Sequence, residues 1–162
     1  MSKSKPDTIV YKVHTDGSAL GNPGPGGYAL VVRCGDAEVV TLSKGYFKTT
    51  NNRMELLAII VLLETYGAPG NFFDVYTDSM YVIDGATKWH KSWARNNWIT
   101  WRTQQPVKNA DLWKRVEPLL KANKVKFTHV RAHTGIPDNE MADKLAKEAA
   151  AAPTEIDEGF MG

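Results

Sequence analysis

A mixed α/β fold on a five-stranded sheet is the class this sequence predicts, and three features predict it. The chain opens with two-residue alternation, and two more strand-like segments follow at short range. Segments with helical spacing then separate two further short strands. The first three strands can form an antiparallel meander, beside which strand–helix–strand units add parallel strands. With 162 residues, 43% of them hydrophobic and 23% charged, the chain can close one ordinary core but not two. That composition also excludes a disordered or fibrous chain.

The first strand is expected over residues 8–15, where Ile9, Tyr11, Val13 and Thr15 share a face, and it ends at Asp16. Residues 21–27, Gly-Asn-Pro-Gly-Pro-Gly-Gly, are dense in turn formers. The second strand follows over 28–33, and after a turn at Gly35-Asp36 the third runs from about 38 to 48. Leu57, Ala58, Val61 and Leu62 recur at helical spacing within 53–66; Asn52 can cap this helix, and Gly67 with Pro69 stops it. A short buried-type strand over 72–77 leads into Asp78. A helix is expected from 79 to about 87, then a less regular Trp-rich stretch to 108. Asn109 can cap a helix over 110–121, which Pro118 should kink or shorten. The last strand spans 125–131, Asp138 can cap a final helix to about 152, and residues 153–162 should fray.

The net charge of +2 conceals a partition. Residues 1–84 carry 7 Lys/Arg against 9 Asp/Glu, residues 85–131 carry 11 against 2, and residues 132–162 carry 2 against 7. All five Trp lie in the basic stretch. This reads either as a polyanion-binding arm beside a carboxylate site or as a solvated cationic face with Trp in its core. The lone Cys34 excludes an internal disulfide framework, and the first seven residues lack an apolar signal core. No apolar run is long enough to cross a bilayer, so a cytoplasmic location is expected.

Four acids stand where element ends can converge: Asp16 after the first strand, Glu55 in the first helix, Asp78 after the fourth strand and Asp143 in the last helix. Singly, each has a plainer explanation. Asp16 can make a turn, Glu55 stands at capping-box distance from Asn52, Asp78 can cap a helix, and Asp143 can pair with Lys147. Together, such carboxylates would repel unless a divalent cation neutralised them. Hard Mg²⁺ takes oxygen ligands, and two such ions can activate water and stabilise a leaving phosphodiester oxygen. The Gly-rich loop lacks the Gly-Lys-Ser/Thr ending of a P-loop, no Cys/His spacing supports zinc, and no Gly-x-Ser-x-Gly is present. His133, in a loop between strand and helix, has the setting of a proton shuttle, whereas His14 and His129 fall in expected strands.

Several runs together resemble the type 1 ribonuclease H family in its bacterial stand-alone form. They are Thr15-Asp16-Gly17-Ser18 with the Gly-rich loop, Thr49-Thr50-Asn51-Asn52-Arg53-Met54-Glu55-Leu56, Thr77-Asp78-Ser79, Pro106-Val107-Lys108-Asn109, and His133-Thr134-Gly135 through Asn139-Glu140 to Asp143. The resemblance covers about residues 8–152. It implies a mixed five-stranded sheet with helices on both faces, and endonucleolytic cleavage of the RNA strand of RNA–DNA hybrids with little sequence specificity. It further implies a monomer without an obligate protein partner. Asp16, Glu55, Asp78 and Asp143 match the family's metal-binding carboxylates, which hold two Mg²⁺ ions with Mn²⁺ as a substitute. His133 matches its flexible loop histidine. Asn22, Asn51, Asn52 and Met80 match groove-lining positions, and Thr50 and Arg53 the part that grips the DNA strand's phosphate. Recognition of the RNA 2′-hydroxyl from the minor groove suits such short polar side chains. The Trp-rich segment, about 88–102, matches the basic handle, with Trp89, Lys91, Trp93 and Arg95 as substrate contacts. Many bacterial relatives carry a Lys/Arg cluster where this chain has Ala94-Arg95-Asn96-Asn97, which predicts a shallower salt dependence of binding.

Overall fold

The computed structural model describes residues 9–160. The expected start of the first strand at Thr8 and the last two residues of the tail lie outside them. Five strands run β1 Val10–Ala19, β2 Gly24–Arg33, β3 Val40–Thr49, β4 Phe72–Thr77 and β5 Lys124–His129. They form one sheet in the order β3-β2-β1-β4-β5, antiparallel from β3 to β1 and parallel from β1 to β5. The mixed five-stranded sheet is thus as expected. β2 begins four residues early because Gly24, Gly26 and Gly27 join the ladder, leaving a turn over 20–23.

Helix α1, Asn51–Tyr66, packs on one face of the sheet and α5, Pro137–Ala151, on the other. Adjacent glycines of β2 show this directly. A Cβ on Gly26 would press to 3.2 Å from the Met54 side chain of α1, and one on Gly27 would strike the Ala146 carbonyl of α5 at 2.6 Å. Between α1 and the sheet lies the main core, with Val13, Leu30, Val32, Phe73 and Val75 against Leu56, Ile59, Ile60 and Leu63. Nearly every side of α1 is apolar and buried because α4, Ala110–Ala122, covers its outer face with Leu112, Trp113 and Val116.

Several local expectations are corrected. Thr50, not Asn52, caps α1: it is extended, and its hydroxyl accepts from the Arg53 N–H at 3.3 Å. β3 runs to Thr49 and so enters the helix two residues earlier than periodicity implies. Asp138 does not cap α5 either. Ile136 holds the cap position, Pro137 opens the helix, and Asp138 in the first turn binds Arg33 through both carboxylate oxygens. Asn109 precedes α4 in a left-handed conformation with no side-chain capping bond, and its amide donates to the Tyr81 hydroxyl at 3.0 Å. Pro118 does not shorten α4, which reaches Ala122 with the proline on its exposed side.

The stretch after β4 is more regular than expected. Helix α2, Met80–Asp84, continues through a π-helical turn, Gly85–Trp89, into α3, His90–Arg95. The tail expected to fray is instead docked. Phe47 donates to the Glu155 carbonyl at 2.9 Å, and Thr154 and Glu155 donate to that of Gly45 at 3.0 Å. Asp157 then accepts from the Thr49 hydroxyl and from Arg53, each at 2.7 Å. A buried guanidinium needs such anions around it, which gives the tail its anchor.

Candidate active site

The parallel register of β1 and β4 sets His14 opposite Tyr76. Two residues further along, Asp16 and Asp78 therefore stand side by side at the sheet's central pair of strands. Asp16 lies within β1, opposite Ala29 of β2, rather than at the strand's end. Glu55 reaches the same point from the second turn of α1. That approach is close: a Cβ on Gly17 would lie 2.4 Å from the Glu55 nitrogen, so only glycine admits the helix there. Carboxylate oxygens of Asp16, Glu55 and Asp78 all lie within 4.8 Å of one another. Asp143 of α5 lines the same cleft, of about 450 Å³, and is near enough to Asp16 to raise its pKa.

The plainer explanations fare unevenly. The third helical position of α1 is Arg53, so Glu55 is in no capping box, and Ser79 rather than Asp78 caps α2. Asp143 does pair with Lys147, at 3.0 Å, and Asp16 does accept from the Gly17 N–H, at 2.9 Å.

Crowding and burial hold Asp16, Glu55 and Asp78 toward their protonated forms. Desolvation, then the charge of Asp78, pushes Asp16 up to about 8. Burial, with the charges of Asp16 and Asp78, raises Glu55 well above the carboxylate range. Burial also raises Asp78, while His129 and His133 oppose the shift. The buried Oε2 of Glu55 has no hydrogen-bond partner. An orphaned buried oxygen among repelling carboxylates is unfavourable unless a cation completes it. An all-oxygen donor set of this kind fits a hard divalent ion.

Other expected residues gather at the cleft or miss it. Asn51, Asn52 and the exposed Met80 line it, and the Asn22 side chain accepts from the Asn51 N–H at 3.1 Å, bracing the Gly-rich turn against α1. Ser18, Ser79 and Tyr81 line it as well. They were not singled out from the sequence, although their place beside Asp16 and Asp78 was the available signal. His133 is exposed on the loop before α5, in a left-handed conformation, and does not line the cleft. Arg53 contradicts its expected role. Its side chain is 2% exposed and is enclosed by Asp157 and Asp111, so the guanidinium cannot grip a phosphate. Thr50 remains at the start of α1, partly buried. Trp89, Lys91 and Arg95 are exposed on the helical run beyond the cleft, whereas Trp93 is half-buried and meets Trp113 edge-on with ring centres 5.3 Å apart.

A family model described as RNase H matches residues 8–151, which include all four acids. The chain belongs to the ribonuclease H family. It is 48% identical over 149 residues to ribonuclease HI of Vibrio parahaemolyticus, covering 92% of this chain and 95% of that protein. It is 47% identical over 150 residues to ribonuclease H of Proteus mirabilis, covering 93% and 92%. Among solved structures it resembles LC9-RNase H1, a type 1 RNase H with the type 2 active-site motif, with a TM-score of 0.80 and 31% identity over 93% of this chain and 76% of that one. It shares the fold of LC11-RNase H1 in complex with RNA/DNA hybrid, with a TM-score of 0.66 and 22% identity over 87% and 96%. The ribonuclease H fold therefore brings its acids together here from two adjacent parallel-paired strands and the two helices that flank them.

Proposed function

We propose that this ribonuclease H hydrolyses the RNA strand of RNA–DNA hybrids, leaving 5′-phosphate and 3′-hydroxyl ends, with Mg²⁺ held by Asp16, Glu55, Asp78 and Asp143. The observation that carries the reading is the meeting of Asp16, Glu55 and Asp78 within 4.8 Å, in a chain that matches the family along nearly its whole length. Divalent cations, when bound, neutralise the acids, lower the pKa of an attacking water and stabilise the leaving oxygen. Mn²⁺ offers the same preference for oxygen and is a substitute.

The chain's own residues supply the rest. Glu55 is fixed by burial and by the close seat of α1 on Gly17, so its carboxylate is preorganised rather than free to swing. Asn22, Asn51 and Asn52 present short amides on one rim, suited to a sugar edge where a 2′-hydroxyl distinguishes RNA from DNA. None of these contacts reads a base, so cleavage has little sequence preference. His133, exposed on its loop, takes up and releases a proton near the site. Trp89, Lys91, Trp93 and Arg95 extend the contact along the handle, with Thr50 on the side of the DNA strand. The enzyme acts as a single-domain monomer in the cytoplasm; among the described residues no helix is long and apolar enough to cross a membrane.

Incubation with labelled hybrid, duplex DNA and duplex RNA, with and without EDTA, tests the reading. Cleavage of hybrid alone, lost with EDTA, is expected. Cleavage of duplex DNA, or cleavage that survives EDTA, overturns it.

A further inference from the structure

Beyond the acidic cleft, a second concavity of about 750 Å³ lies between α3 and the hairpin that follows it. Its walls include Trp89, Trp93 and Trp101, with Ser92, Asn96 and Arg102 as polar groups. Trp93 is fixed from behind by Trp113 and Trp89 stacks at an angle on Trp93, but Trp101 is 77% exposed and, among the described residues, meets no other ring. An indole so open to water costs free energy unless a partner covers it.

The hairpin holds Trp101 there. Val107 donates to the Trp98 carbonyl at 2.8 Å, Thr100 donates to that of Gln105 at 2.8 Å, and Gln104 closes the turn onto Thr100 at 2.9 Å. The Gln104 side chain also donates to the Trp101 carbonyl at 2.9 Å. The indole is thus presented by a bonded turn, which lowers the ordering cost of any contact it makes.

Charge indicates the kind of partner. Residues 85–108 contain five Lys/Arg and no Asp or Glu. Arg102, on the groove wall beside Trp101, has no ion-pair partner among the described residues. Lys88 pairs with Asp84 at 3.2 Å, which leaves Arg102 as the cation on the groove wall, and aromatic faces beside such a cation are the chemistry that takes unpaired nucleobases on a phosphate backbone. Stacking tolerates any base, and cations track the phosphates. A paired base hides its faces within the duplex stack, so the hybrid itself offers none to Trp101. The helical run that carries Trp89 and Trp93 to the groove opens at Met80 and Tyr81, which line the cleft. At 1.5 Å per residue, Met80 to Trp93 spans about 20 Å, or roughly six nucleotides of strand.

We propose that Trp101 with Arg102, in the groove that the hybrid-contacting Trp89 and Trp93 also wall, binds the unpaired bases of a single-stranded extension adjoining the hybrid, a role that rests on the reading of the acidic cleft as the hybrid site. Trp101 is the stacking platform and Arg102 meets the backbone phosphate. The enzyme is thereby directed toward junctions between hybrid and single strand.

The test measures Kd by fluorescence anisotropy, with Ca²⁺ in place of Mg²⁺, for a blunt hybrid and for the same hybrid bearing a DNA extension, an RNA extension or an abasic DNA extension. The full chain is compared with Trp101→Ala, Trp101→Phe and Arg102→Gln. A base-bearing extension is expected to tighten binding about fivefold or more, the lower end of stacking by one base. Trp101→Ala removes that gain and leaves the blunt-hybrid Kd unchanged, Trp101→Phe keeps most of it, and the abasic extension shows little. Arg102→Gln lowers the salt slope for extended substrates, whereas Trp101→Ala does not. A gain with DNA, RNA or both supports the groove and identifies which strand it takes. No gain from any extension, a gain that survives Trp101→Ala, or an equal gain from the abasic extension overturns it. Failure of the full chain to cleave blunt hybrid in Mg²⁺ would overturn the reading of the cleft instead, since the binding gain is read without turnover.

Discussion

Replacing Asp16 by Asn should stabilise the metal-free protein, by an amount that grows with pH. Asp16 lies among Glu55, Asp78 and Asp143, and burial with the repulsion of Asp78 and Asp143 lifts it from an ordinary value near 3.8 to about 8. The unfolded chain releases this proton near pH 3.8, while the folded chain keeps it until about pH 8. Between those values the folded state binds the extra proton, so stability falls as pH rises, and the loss is complete above about pH 8. At 1.36 kcal/mol per pH unit, the cost is about 4 kcal/mol at pH 7 and about 6 kcal/mol above pH 8. Asn carries no charge at any pH and escapes that cost. Its buried carboxamide still needs partners, and Glu55 and Asp78 remain desolvated, so about half the gain, roughly 2 kcal/mol at pH 7, is expected. For a domain of this size that is about 4–8 °C in Tm. Thermal unfolding followed by circular dichroism in EDTA, from pH 4 to 9, measures it for both proteins. The curves should nearly coincide at pH 4, separate up to about pH 8 and then run parallel. Added Mg²⁺ should narrow the gap, because a cation bound by the native carboxylates offsets their repulsion. A gap independent of pH, or a wild-type protein that is the more stable at pH 7 in EDTA, refutes the reasoning.

Further expectations follow from the same geometry. Asp78→Asn should abolish cleavage in Mg²⁺ while hybrid binding by anisotropy stays within a few fold; retained turnover refutes its role as a metal ligand. His133→Ala should slow turnover by about tenfold to a hundredfold without eliminating it, at the modest end of acid–base contributions; unchanged turnover excludes the shuttle. Arg53→Met leaves Asp157 with an uncompensated charge in a nearly buried site and should lower stability in urea by about 3 kcal/mol. A loss below about 1 kcal/mol would show that the docked tail does not depend on this ion pair. With Arg95 the only cation in Ala94-Arg95-Asn96-Asn97, the slope of log Kd against log salt for hybrid should be shallower than in a relative with Lys or Arg at these positions. Equal slopes would rule this out.

What the sequence disclosed and what it hid divide along a physical line. Strand alternation, helical spacing and the run of motifs are local or ordered along the chain. They placed the five strands, the parallel addition of β4 and β5, and the acids that the fold brings together. Choices decided by distant partners were misread. Thr50 and Asn52 are both good capping residues, and only the last ladder contact of β3 at Thr49 decides between them. Asp138 would cap a helix well in isolation, but Arg33, 105 residues away, holds it in the first turn. Arg53 stands among groove-lining residues in a highly specific motif, yet its side chain points to a partner 104 residues later in a tail whose composition gives no sign of order. The Trp-rich segment failed differently. Its basic charge admitted both a binding arm and a solvated face with a Trp core, and the fold gives its tryptophans quite different surroundings. Trp113 is fully buried, Trp93 leans on it, and Trp101 stands in solvent. Composition counts five equivalent tryptophans, but which of them can meet a ligand depends on the hairpin bonds between Trp98 and Val107, and those exist only once the chain has folded.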